Sequence, residues 1–323
     1  MPDLTMVQAI NAGLQRAMEA DPSVVLFGED IGRLGGVFRV TAGLQERFGE
    51  HRVMDAPLAE SAIVGAAVGM CMRGYRPVLE MQFDGFVYPA FNQIVSQVAK
   101  LHRRSAGMVK VPITIRIPYG GGIGAVEHHS ESPETYFAHT AGLRVITPGD
   151  AAAAFTTIQQ AIACDDPVIY FEPKGRYWDK AGVDLDSEPE GDPWRARVLR
   201  PGTDVTLACY GPMVRVCREA AESWEDVSVE VLDLQSLAPI DMNAVVASVR
   251  RTGRLVIAHE APLTLGLGAE LAARVGEECF LDLHAPVLRV AAPDVPYPPS
   301  RIEHSYLPSV ARVNDAIEYA MEF

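Results

Sequence analysis

The chain has only five cysteines in 323 residues, Cys71, Cys164, Cys209, Cys217 and Cys279, with no C-x-x-C pair among them. That excludes a disulfide framework and a zinc site built on paired thiols, and leaves core packing in a reducing compartment. Basic charge is also scarce: 28 lysines and arginines stand against 42 acidic residues, a net charge of -14. Such a surface repels phosphate backbones and anionic bilayers, so neither nucleic acid nor membrane is an expected partner. The apolar stretch Ala62 to Met72 is too short to span a bilayer. Met1 to Ala20 carries no basic leader followed by an apolar run, so no secretory signal is expected, and the expected location is cytoplasmic. No H-E-x-x-H spacing and no internal repeat occurs.

What is present is enough apolar material, 48% of residues, to bury a large core. The pattern alternates strand and helix in the βα order of a mostly parallel, doubly covered sheet, so the expected fold class is α/β. Expected strands are Val24–Phe27, Val53–Met54, Pro77–Gln82, Ile113–Ile117, Arg144–Ile146 and Val168–Phe171. Between them fall expected helices at Leu44–Phe48, Ala62–Met72, Pro89–Arg103, Pro133–Ala141 and Asp150–Ala163. From Tyr177 to Pro201 the chain turns acidic, rich in proline and glycine, and aperiodic, as a linker does. The organisation expected is a first domain over residues 1–180, a linker over 181–200 and a smaller α/β domain over 201–323. In that second unit, strands are expected at Val205–Tyr210, Val229–Leu234, Leu255–Ala258 and Val287–Val290, with helices at Met213–Ser223, Met242–Val249 and Gly268–Glu278.

Ligands of an open parallel sheet sit beyond the carboxyl ends of its strands. Glu29, Glu60, Gln82, Phe86 and His129 all fall just after expected strands, so one crevice could collect them. Each also has a plain reading: Glu60 as a first-turn acid favoured by the helix dipole, Glu29 as a turn cap, Phe86 as core, His128-His129 as a solvated loop. Adjacent histidines seldom point at one ion, which argues against zinc. The run Gly120 to Gly124 leads into Glu127-His128-His129 rather than into a helix, so it does not read as a dinucleotide loop.

The stretches Phe27-Gly28-Glu29-Asp30, Gly35-Gly36-Val37-Phe38-Arg39, Pro57-Leu58-Ala59-Glu60, Gln82-Phe83-Asp84-Gly85-Phe86, Pro112-Ile113-Thr114-Ile115-Arg116, His129-Ser130-Glu131-Ser132 and Glu172-Pro173-Lys174 form a set. Together they resemble the β subunit of the thiamine diphosphate-dependent component of 2-oxo acid dehydrogenase complexes. The likeness runs from Met6 almost to Phe323, including Ala285-Pro286-Val287-Leu288-Arg289-Val290 and Tyr297-Pro298. Gly35-Gly36-Val37-Phe38, Ser132-Pro133-Glu134 and Phe171-Glu172-Pro173-Lys174 look most like branched-chain (2-oxoisovalerate) members, with pyruvate and acetoin members as alternatives.

The resemblance implies a pyrimidine-binding transketolase-like domain followed by a transketolase C-terminal-like domain. It implies that Glu60 shares a proton with the aminopyrimidine of thiamine diphosphate, the coenzyme that carries the difficult carbon chemistry. Such a role calls for apolar surroundings without a competing cation, which Leu58, Ala62 and Ile63 are expected to provide. By the same resemblance Phe86 stacks on the pyrimidine, Gln82 lines the same wall, and His129 serves either the substrate or the lipoyl sulfur as a proton donor. A structural potassium is implied at Ile113, Ala161, Ile162, Cys164 and Asp166, although Cys164 and Asp166 depart from the aspartate and asparagine usual there. No Gly-Asp-Gly with a following asparagine pair, the usual magnesium-diphosphate loop, occurs in the chain. The implied partner is therefore an α subunit that holds Mg2+ and the phosphates, in a two-plus-two heterotetramer. A second implied partner is the dihydrolipoyl acyltransferase core, its basic segment drawn to the acidic C-terminal domain. A non-catalytic α/β scaffold and a self-sufficient transketolase-like enzyme are the competing classes. The chain is short for the second, and the joint presence of Glu60, Phe86 and His129 argues against the first.

Overall fold

The computed structural model describes residues 1–323. In chain order its strands are β1 (Asp3–Thr5), β2 (Val24–Gly28), β3 (Val53–Asp55), β4 (Arg76–Glu80), β5 (Thr114–Tyr119), β6 (Arg144–Ile146), β7 (Val168–Pro173), β8 (Lys180–Gly182), β9 (Arg197–Arg200), β10 (Val205–Cys209), β11 (Val229–Asp233), β12 (Ser236–Ala238), β13 (Leu255–Pro262) and β14 (Leu288–Ala292). The α-helices are α1 (Met6–Ala20), α2 (Leu44–Phe48), α3 (Glu60–Met72), α4 (Ala99–Arg104), α5 (Glu134–Ala138), α6 (Ala151–Ala163), α7 (Met213–Glu222), α8 (Met242–Thr252), α9 (Leu267–Glu278), α10 (Glu303–Tyr306) and α11 (Val310–Met321). None is long and apolar enough to cross a membrane.

The strands of the first half run as near-continuous apolar segments, as strands covered on both faces must. They assemble in the order β12-β6-β7-β5-β4-β2-β3, parallel throughout except for β12. The second sheet, β14-β13-β10-β11-β9, is parallel except at its β9 edge. On one face of the first sheet, α1 and α6 pack through Met6, Ile10, Leu14, Phe155 and Ile158. α1 starts at a capping box in which Thr5 and Gln8 each accept the other's backbone N–H. The opposite face builds one core that continues from Ile63, Ile94 and Ile117 into Leu232, Val249 and Leu271 of the second half. The far side of the second sheet is closed by α7 and α11 through Val214, Cys217, Val313 and Ile317. All five cysteines are free, and Cys209, Cys217 and Cys279 are buried, in keeping with a packing role.

Several expected elements are corrected. The single helix expected over Pro89–Arg103 begins earlier and changes pitch: Asp84–Ala90 is 3₁₀, Gln93–Val98 is π, and only Ala99–Arg104 is regular α. Pro89 has no amide to give, so the chain enters through the tighter turn, and the pitch widens before settling. Helix α3 begins at Glu60 itself rather than at Ala62. Helix α5 stops at Ala138, short of Ala141. The stretch 181–200 is not structureless, because β9 within it pairs antiparallel with β11. β8 pairs with β1 at the chain's start, tying Lys180 to Thr5. β12 was not foreseen at all; its Ser236 and Ala238 pair with Ile146 and Val145 at the edge of the first sheet. Three residues are too few to carry a period.

The middle of the first sheet holds an ion network. Arg116 on β5, 1% exposed, donates to Glu172 on β7 at 2.6 and 2.9 Å and to Glu80 on β4 at 2.5 Å. Tyr177 donates its hydroxyl to Glu172 at 2.6 Å.

Candidate functional site

The carboxyl ends of β2 and β4, with the connections that leave them, define one edge of the first sheet. β2 ends at Gly28, so Glu29 and Asp30 turn off the sheet there. Glu60, the first residue of α3, is only 8% exposed. Glu29 is buried beside it, and its Oε1 has no hydrogen-bond partner. Burial raises the Glu29 carboxyl above the ordinary carboxylate range, and the neighbouring charge of Glu60 raises it further. A folded core rarely leaves such an oxygen unmatched, whereas a site for a protonated ring nitrogen would use one. Gln82, two residues past the end of β4, is half-buried and donates to Asp30 at 3.2 Å, which places it on the same edge.

Phe86 belongs to the 3₁₀ turn Asp84–Ala90, which packs against α3. It is half-buried and meets His129 edge-on at 5.2 Å between ring centroids. Phe83 lies flat on the His129 ring at 3.9 Å and 14°. Phe38 supports Phe83 from below at 5.4 Å and also contacts Tyr177. Phe38 reaches this position because Gly35 and Gly36 both adopt positive φ, near +79° and +78°; a Cβ on Gly35 would lie 2.7 Å from the Ala42 backbone. His129 sits in a three-residue 3₁₀ turn, Glu127–His129, half-buried, with its Nδ1 2.8 Å from the His128 carbonyl. Nδ1 is thus engaged, and no hydrogen bond within the chain reaches Nε2. Glu60 thus heads α3 beside Glu29, Gln82 and Phe86 lie on the connection that leaves β4, and half-buried His129 stacks on Phe83 of that connection, while His128 in the same turn is exposed.

One expectation changes. Leu58 does not shelter Glu60: it is 76% exposed, and Ala62 is exposed as well, so of the three apolar residues named only Ile63 is buried. Pro57 and Leu58 are exposed between half-buried Ala56 and Ala59. The five positions named for potassium lie about the carboxyl end of α6, and each accepts a hydrogen bond there. Arg76 donates to the carbonyls of Ile162 at 3.2 Å and Cys164 at 3.1 Å, Cys164 N–H to that of Ala161, Val168 N–H to that of Ile113, and Arg144 to the Asp166 carboxylate at 2.9 Å. Positive charge at this helix end is thus supplied by a guanidinium, where the dipole favours it. No group of three or more His, Cys, Asp or Glu side chains is placed to hold a metal ion.

Sequence reasoning did not assign roles to Phe83, Asp84 or Lys174, although all three lie within the quoted motifs. Asp84 and Lys174 form a fully buried ion pair, and Asp84 also accepts the Glu131 N–H at 2.9 Å. The available signal was an acid and a base each set among apolar residues just past a strand end. Glu134, on α5 behind the histidine loop, was likewise missed: it is fully buried, takes the Tyr210 hydroxyl at 2.8 Å, and leaves Oε2 unmatched. Burial pushes its carboxyl up to about 7 from an ordinary 4.5. Between those values the folded chain keeps a proton that the unfolded chain releases, so this group's contribution is intact below about 4.5 and fades as pH rises through 7. Glu134→Gln should match the parent's unfolding free energy in urea near pH 5 and exceed it by pH 8, by up to about 3 kcal/mol. A gap that does not widen with pH would show that the carboxyl is not held protonated.

Residues 3–179 match the family described as transketolase, pyrimidine binding domain, and residues 195–313 match transketolase, C-terminal domain. The pyruvate dehydrogenase E1 component subunit beta of Leifsonia xyli is 54% identical over 323 residues, covering 99% of this chain and 95% of that one. The 3-methyl-2-oxobutanoate dehydrogenase subunit beta of Mycobacterium tuberculosis is also 54% identical, covering 98% and 91%. The 2-oxoisovalerate dehydrogenase subunit beta of Pseudomonas aeruginosa is 44% identical, covering 99% and 95%. Among solved structures, a split-gene transketolase described as an inactive beta4 tetramer superposes with a TM-score of 0.82 at 24% identity, over 99% of this chain and 98% of that one. That likeness speaks for the fold alone.

Proposed function

The chain belongs to the transketolase-like family of 2-oxo acid dehydrogenase E1 component β subunits, a thiamine-dependent family, and from that premise we propose that it serves the branched-chain (2-oxoisovalerate) reaction and forms the pyrimidine side of a shared coenzyme site. The observation that carries the shared site is the state of α3. This helix is apolar all round, yet only Ile63, Val64 and Ala67 join Glu60 in being buried, while Ala62, Gly65, Ala66, Gly69 and Met72 face outward. An apolar helix with a bare face belongs against another surface. Leu58 at its head is bare for the same reason. An α subunit of the same component, bringing Mg2+ and the phosphate-binding half, covers this face and completes the shelter of Glu60.

When bound, thiamine diphosphate supplies the carbon nucleophile and the electron sink for loss of carbon dioxide. The chain's own residues do the rest. Glu60 offers its carboxyl to the pyrimidine nitrogen from a buried position with no paired cation. Phe86 orients the flat ring by its edge and face, and Gln82 adds an amide to the same wall. His129 carries a proton at its Nε2 to the substrate or to the lipoyl sulfur during acyl transfer to the acyltransferase core.

Two relatives of equal identity bear different substrate names, so pyruvate is the second reading. Co-expression with the α subunit, followed by rate measurements on 2-oxoisovalerate and on pyruvate with an artificial acceptor and with lipoyl domain, tests both. The pair is expected to favour the branched substrate, and the chain alone to turn over neither. A preference for pyruvate would remove the branched-chain assignment, and equal turnover by the isolated chain would remove the shared site.

A further inference from the structure

The connection carrying Phe83 and Phe86 and the loop carrying His129 are joined at one point, and that point is charged. Asp84 and Lys174 are 0% exposed and bonded to each other through Oδ1 and Nζ. The second oxygen of Asp84 accepts the backbone N–H of Glu131, two residues past His129, at 2.9 Å. Gly85, the next residue, lies so close to the histidine loop that a Cβ there would be 2.3 Å from the His128 carbonyl oxygen. On either side of this junction Phe83 stacks on the His129 ring and Phe86 meets its edge. The other end of the loop is held by the Gly120 N–H donating to the Glu131 carbonyl at 2.9 Å.

Burying an ion pair is a poor way to gain stability, since an apolar pair of similar volume would serve at least as well. Burial pushes the Asp84 carboxyl up and the Lys174 ammonium down, each opposed by the attraction of the other. What the charged pair does, and an apolar one could not, is fix a direction: a carboxylate anchored by Lys174 presents its remaining oxygen to a single backbone amide. We infer that Asp84 and Lys174 are positioning residues, a charged clamp that holds the His129 ring in its stack on Phe83 and so aims its Nε2 at the reacting atoms. As a statement about catalysis this rests on the function proposed above; as a statement about the loop it stands on the bonds just described.

The test uses the full chain, alone and with its α subunit. In Asp84→Asn, amide hydrogen exchange of residues 127–132 should rise about tenfold or more, the effect of losing one charge-assisted bond, while exchange in β5 and α6 stays at the parent's rate. In the heterotetramer the same variant should lose about 10- to 100-fold in kcat, as supporting partners of a functional group do, with KM for the oxo acid nearly unchanged. In a His129→Ala background it should cost nothing more, because a residue that acts through His129 has nothing left to act on. The double variant Asp84→Asn/Lys174→Met removes both charges at similar volume and separates a folding defect from loss of the clamp. It should melt near the parent's temperature yet keep the fast exchange. Unchanged exchange over residues 127–132 in a folded variant, or kcat losses that multiply with His129→Ala, would overturn the inference. Should the parent complex turn over no 2-oxo acid, the proposed function fails on its own, and the exchange measurement still decides the clamp.

Discussion

Glu60→Gln is expected to lower kcat of the α-paired enzyme by about a thousandfold or more, near the upper range for loss of a positioned acid-base group. Glutamine keeps the volume and one hydrogen-bond acceptor, so the coenzyme should still bind; what goes is the carboxyl through which a proton would pass to the ring. Folding should not suffer, and the structure gives the sign. Glu29 is raised first by burial and then by the charge of Glu60, so neutralising Glu60 relieves a repulsion between two sheltered acids. The thermal midpoint of the variant should therefore equal or slightly exceed that of the parent. Steady-state rates and melting curves on the same preparation check both halves. A variant within tenfold of parental activity would take Glu60 out of the mechanism.

Arg116→Met carries the largest expected effect on stability. The guanidinium ties β4, β5 and β7 together through Glu80 and Glu172, and removing it leaves two carboxyls buried without a counter-charge. Loss of one partner from such a network costs about 3–5 kcal/mol, a large share of the 5–15 kcal/mol typical of a folded domain. Burial already pushes the Glu80 carboxyl up while Arg116 holds it down. Without the arginine, that carboxyl should stay protonated to higher pH, so the variant's deficit should grow as pH rises above the ordinary carboxylate range. Urea midpoints across pH 5 to 8 measure this. Adding Glu80→Gln and Glu172→Gln should recover part of the loss, and a deficit below about 1 kcal/mol in the single variant would mean that water or rearrangement replaces the network.

Most of the parallel architecture was legible because apolar runs such as Val24–Gly28 and Val168–Pro173, spaced by helical periods, have few other ways to fold. Arg144–Ile146 and Leu44–Phe48 fall where the pattern puts them. What escaped was whatever local pattern does not encode. β12 is three residues long and is a strand only because the edge of β6 accepts it. β9 carries Arg197 and Arg200 and reads as a charged linker until its partner strand and the Asp150 carboxylate, 2.6 Å from Arg197, are in place. The expectation of one crevice for Glu60, Gln82, Phe86 and His129 came from strand-end logic, which has no way to foresee the flat contact of Phe83 with His129 or the support of Phe83 by Phe38, forty-five residues away. Leu58 misled for a related reason: an apolar residue close to Glu60 in the sequence was assigned to the interior, whereas it is exposed.

The insertion of β12 into the first sheet also governs how the molecule can move. A strand from the second half is laced into the sheet of the first, and a single apolar core runs under both. Two lobes stitched in this way cannot swing apart like the jaws of a hinged trap without tearing backbone bonds at Val145 and Ile146. Any opening at this edge of the first sheet then falls to the loops that bear Leu58 and His129.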